Sequence, residues 1–99
     1  MATAEYNEGL LNRLQDRAYA SEYLNEALSE GSQEMFMLAL RDVAKAKGIA
    51  KAARESNLNR ENMYRMLSEK GIPNLSSLTK LLDTLGLTIT FGMKKSRAL

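Results

Sequence analysis

Between positions 59 and 65 the chain sets Asn59, Arg60, Glu61, Asn62, Tyr64 and Arg65 almost side by side. These side chains are hydrogen-bond donors and acceptors; none is a nucleophile or a base tuned to neutral pH. An arginine presents two N–H groups that match the paired acceptors on the major-groove edge of guanine, and an asparagine matches the acceptor and donor of adenine. Arg60 and Arg65 are therefore candidate guanine readers and Asn62 a candidate adenine reader. Tyr64 can bond a phosphate or pack on a thymine methyl. Around them Lys45, Lys47, Lys51, Arg54, Lys70 and Lys80 are candidate phosphate contacts, which add affinity but little sequence discrimination.

Catalysis has few tools here. The 99 residues include no cysteine and no histidine, which excludes thiolate chemistry and disulfides and removes the commonest metal ligand and general base. An enzyme would need a carboxylate pair or an activated lysine, and no spacing favours either over solvated surface charge. No phosphate-cradling glycine loop and no metal-ligand cluster is present. The expectation is a non-enzyme without cofactor or metal.

The reading side chains need a rigid helix that holds them outward. The stretch 49–70 supplies one: a short helix over Ile49–Ser56, Asn57 where a tight turn wants left-handed backbone, Leu58 as a plug, and Asn59 capping a second helix that runs to Lys70. Small Ala53 sits where the two helices cross, and Ala52, Leu58, Met63, Met66 and Leu67 form the buried side. The spacing is that of a helix-turn-helix, whose second helix meets base edges through its N-terminal half. The same spacing also suits an ordinary helical hairpin with exposed arginines.

Three further helices flank the motif. Asp16 can cap 17–30, where Ala20, Tyr23, Leu24, Ala27 and Leu28 share a stripe and Glu22, Glu26 and Glu30 line the other face. Ser32 caps 33–47, with Phe36, Ala39, Leu40, Val43 and Ala44 in register and Met35, Met37 and Leu38 widening the apolar surface. Asn74 caps a last helix to Leu85, with leucines at 75, 78, 81, 82 and 85 facing the core. Gly48, Gly71 and Gly86 are helix stops. The period then changes: Leu87, Ile89, Phe91 and Met93 alternate with Thr88, Thr90 and Gly92, which predicts one strand. That strand needs a partner from the N-terminal segment, a second copy or another protein.

The length suits one domain, divided here into an N-terminal segment 1–15, a folded part 16–93 and a basic tail 94–99. Residues 1–34 carry two basic and seven acidic side chains, net −5, and residues 35–99 twelve basic and five acidic, net +7. Such asymmetry suggests a basic surface for phosphates and an acidic one for a basic protein. No apolar run is long enough to span a membrane, and the N-terminus lacks the basic-then-apolar layout of a secretory signal, so the cytosol is the expected compartment.

Four blocks, "EYLNEAL", "LALRDVAKAKG", "LNRENMYRMLSEKG" and "LTKLLDTLGL", stand in order and at the spacing of a known family. Over roughly residues 15–90 the chain resembles the probable addiction-module antidote family. Asn57 stands where relatives usually have glycine, and Ile72 where many have asparagine before the proline. The resemblance implies a lambda-repressor-like helical domain, and with the elements read above the expected fold is a mainly α, five-helix helix-turn-helix domain with one short C-terminal β-strand. The resemblance also implies an antitoxin that represses its own operon and pairs with an RNA-cleaving toxin of the RelE/ParE-like kind. Partners on this view are double-stranded operator DNA, the toxin and a second copy of the chain. From charge alone, Glu22, Tyr23, Glu26 and Glu30 are candidate toxin contacts. The alternatives are a protein-interaction module that uses the helix-turn-helix as scaffold, and a plain repressor without a toxin.

Overall fold

The computed structural model of the chain describes residues 3–68 and 72–94. Within them lie six helices: α1 Thr3–Leu14, α2 Arg17–Ser29, α3 Gln33–Lys47, α4 Ile49–Ser56, α5 Arg60–Met66 and α6 Leu75–Thr84. None is long and apolar enough to cross a membrane.

The helix starts follow the capping residues. Asp16 accepts the Ala18 N–H at 2.9 Å, Ser32 that of Met35 at 3.2 Å, Asn59 that of Glu61 at 2.7 Å and Asn74 that of Ser77 at 2.8 Å, each satisfying a donor that a helix start leaves unpaired. Gly48 joins α3 to α4 alone. Its N–H donates to Ala44 O and its carbonyl accepts from Ala52 N–H, so the chain turns a corner at one residue whose φ of 100° only glycine adopts cheaply.

The centre of the molecule is filled by Leu40 of α3, Met63 of α5 and Leu81 of α6, each fully buried. Between them runs α4, which packs on α3, α5 and α6. Its inward residues Ala52 and Ala53 are buried and small, which lets three helices approach one short helix closely.

Four features depart from the sequence-based expectation. There are six helices rather than five: α1 is added, and its Leu10 and Leu14 enter the core. Helix α5 ends at Met66, short of the predicted Lys70; Lys70 and the expected stop Gly71 lie outside the described residues. The Leu67 carbonyl, just past the helix end, accepts from Arg41 Nε at 2.6 Å. The strand predicted over 87–93 is absent, and these residues form no regular element; no described segment lies extended beside them to supply a ladder. Finally, the apolar stripes reach beyond the core, for Leu28 and Leu75 are exposed because none of the described helices covers those ends of α2 and α6.

Candidate nucleic-acid interface

The outward face of α5 is set by what its inward face buries. Met63 and Met66 point into the core, and a helix with those positions fixed must turn Arg60, Glu61, Asn62, Tyr64 and Arg65 to solvent, where all five lie exposed. The turn before it is tight. Asn57 adopts φ 62°, ψ 28°, the left-handed conformation its short polar side chain tolerates, and Leu58 donates its N–H to Ala53 O at 3.0 Å while packing on the core. Buried Ser56 closes its own hydroxyl on the Ala53 carbonyl at 3.2 Å.

Three of the six expected base readers are already engaged. Asn59 spends its side-chain carbonyl on the Glu61 and Asn62 N–H groups, leaving only its amide N–H₂ outward. The Arg60 guanidinium lies 5.7 Å from the centroid of the Tyr64 ring, one turn along the exposed face, a cation–π pair that holds both side chains over the helix surface. Asn62 and Arg65 stand exposed beside them.

The expected phosphate contacts divide. Lys45, Lys51, Arg54 and Lys80 are exposed. Lys47 is half-buried and pairs with Glu55 at 3.1 Å, which ties the end of α3 to α4 and offsets this cation's charge. Lys70 lies outside the described residues.

Arg41 is the residue that sequence reasoning missed. By bonding Leu67 O it fastens the end of α5 to α3, and α5 otherwise packs chiefly on α4. The available signal was its position on α3 between the core residues Leu40 and Val43.

A family model described as probable addiction module antidote protein matches residues 6–93. The chain belongs to this family. A Haemophilus influenzae protein described as uncharacterized is similar, 36% identical over 75 residues that cover 76% of this chain and 75% of the relative. No solved structure matches. Membership in an antidote family implies an antitoxin role and a toxin partner of some kind.

The residues expected to face that toxin sit on α2. Glu22, Glu26 and Glu30 are exposed along one edge of the antidote. Tyr23 differs: it is half-buried, and its hydroxyl donates to Asp42 at 2.8 Å, so it braces α2 against α3. Tyr23, Glu26 and Glu30 border a shallow hollow of about 200 Å³ that includes Met35 and Leu38, both nearly half exposed.

Proposed function

We propose that the chain is a sequence-specific DNA-binding antitoxin that represses its own operon. The supporting observation is the exposed face of α5: Arg60, Asn62 and Arg65 stand on a helix locked from behind by Met63 and entered through a left-handed turn at Asn57. In this reading α4 and α5 are the helix-turn-helix of a lambda-repressor-like domain within residues 16–93, α5 enters the major groove, and Lys45, Lys51, Arg54 and Lys80 hold the phosphate backbone. The net charge of +7 on residues 35–99 favours the approach to DNA. Two copies related by a two-fold axis would set their α5 helices in successive grooves roughly 34 Å apart on a palindromic site.

The toxin it neutralises is, on the family resemblance, an RNA-cleaving protein of the RelE/ParE-like kind, met in the cytoplasm. The acidic edge of α2 beside Met35 and Leu38 favours a basic partner there, and this surface can serve whether or not α5 reads DNA.

Fluorescence anisotropy tests the DNA reading, with DNA from immediately upstream of the gene and a scrambled duplex, each at several salt concentrations. Upstream DNA should be preferred at physiological salt, and Arg60→Ala should erase the preference while leaving weak non-specific binding. Equal loss on both duplexes would count against base reading. No binding by the wild type to either would leave a partner-binding module.

A further inference from the structure

After α6 the described residues carry a run of apolar side chains that grow more exposed along the chain. Leu87 still packs on the core, its N–H bonded to Leu82 O at 2.8 Å. Beyond it Ile89 is 44% exposed, Phe91 97% and Met93 98%. Such exposure of consecutive alternate residues is unusual on a free surface. At the root of this segment lies a groove of about 660 Å³ between α2, α6 and residues 86–90, with Leu28, Phe36, Leu78, Leu82, Leu87 and Ile89 among its walls.

We propose that a second copy of this chain fills the groove, the two 87–93 segments pairing as antiparallel strands across a two-fold axis at Thr90. This rests on the two-copy arrangement of the preceding subsection and names its interface.

Register follows from symmetry. With the axis at Thr90, Phe91 lies opposite the partner's Ile89 and Met93 opposite the partner's Leu87. Positions 87, 89, 91 and 93 share one face of a strand. Leu87 and Ile89 already line their own groove, so that face carries Phe91 and Met93 onto the groove of the other copy. Pairing also supplies the backbone ladder that the segment lacks in one chain.

Charge selects this occupant over a foreign one. Residues 87–93 are uncharged, and among the described residues Arg17 is the one charged residue lining the groove, whereas the acidic hollow at Glu26 and Glu30 suits a basic partner. Fourteen residues line the groove, and with 91–93 they approach the roughly 20 that each side of a stable interface contributes. No lining residue comes from α4 or α5, so a copy seated here leaves the exposed face of α5 free.

Sedimentation equilibrium and engineered cross-linking test the proposal on the full chain. The wild type should sediment as a dimer, and Phe91→Ser should raise the dimer dissociation constant roughly thirtyfold or more while keeping the helical circular dichroism, since Phe91 touches little in its own chain. The absence of native cysteine makes disulfides unambiguous: Thr90→Cys, on the axis, should form a linked dimer under mild oxidation, and Thr88→Cys much less. A monomeric wild type overturns the proposal, as does a dimer indifferent to Phe91→Ser with no Thr90→Cys cross-link. Loss of operator preference with the dimer intact would instead sink base reading and leave this interface standing.

Discussion

The Arg41 guanidinium of α3 reaches across to α5 and donates, through Nε, a 2.6 Å hydrogen bond to the carbonyl oxygen of Leu67. Helix α5 is only seven residues long, too short to hold its own shape in water. Its orientation therefore depends on this tie, on Met63 and on the turn at Asn57. Replacing Arg41 by Met keeps the stem and removes the donor. The urea midpoint should correspond to a loss of about 1.5–3 kcal/mol, the range for hydrogen bonds to charged groups, with the lower end favoured because Arg41 is half-exposed. Operator affinity should fall although Arg41 lies on α3 and not on the exposed face of α5. Unchanged stability would show that the tie is incidental.

Met63 and Asn62 are neighbours on opposite faces of α5, one buried and one exposed. Met63 is fully buried, so Met63→Ala should cost about 2–5 kcal/mol through lost contacts and a residual cavity. Asn62 is exposed, and Asn62→Ala should change stability by no more than about 0.5 kcal/mol while reducing discrimination between operator and scrambled DNA. Thermal melts and anisotropy on the two variants separate the roles. Equal effects on both assays would mean that α5 has no dedicated reading face.

The turn at Asn57 makes a backbone prediction. Glycine adopts its left-handed geometry freely, and asparagine with little strain, so Asn57→Gly should lie within about 0.5 kcal/mol of wild type. A β-branched residue is strained there, and Asn57→Val should lose about 1–2 kcal/mol. Denaturant titration of the pair decides it; a harmless valine would mean that the turn relaxes.

At Asn59 capping and recognition can be separated. Asn59→Ala removes the acceptor for two α5 N–H groups and should cost about 1 kcal/mol. Asn59→Asp keeps the acceptor and suits the helix dipole, so stability should persist while the added negative charge weakens binding to every DNA. Stability lost in both variants would mean that the amide N–H₂ matters in the free protein.

Phosphate contacts should appear in the salt dependence. Arg54 is exposed, whereas Lys47 is held by Glu55. Arg54→Ala should lower the slope of log K against log salt by about one on both operator and scrambled DNA, and Lys47→Ala should change it less. Equal slopes for the two variants would remove the distinction drawn from the ion pair.

Much of the fold was legible because its rules are local. Asp16, Ser32, Asn59 and Asn74 announce helix starts by side chains that bond within three residues, and the small Ala52 and Ala53 mark where α4 is crossed. Helix α1 was missed because no capping signal opens it and the Leu10–Leu14 pair spans a single turn. On α5 the exposure of Arg60, Asn62 and Arg65 followed from the burial of Met63 and Met66. That Tyr23 and Lys47 are committed to Asp42 and Glu55 could not be read, since each partner lies on another helix.

The sequence alone determined the starts of α2 to α6, the left-handed turn, the uneven charge and the absence of cysteine and histidine chemistry, all properties of residue type or of neighbours within one helical turn. Only the tertiary structure decided where α5 stops, which cations stay exposed and that Leu87–Met93 pairs with no strand among the described residues. Those outcomes depend on contacts between residues far apart in sequence, such as Arg41 with Leu67, and hydrophobic periodicity carries no information about which distant group will reach a given carbonyl or carboxylate.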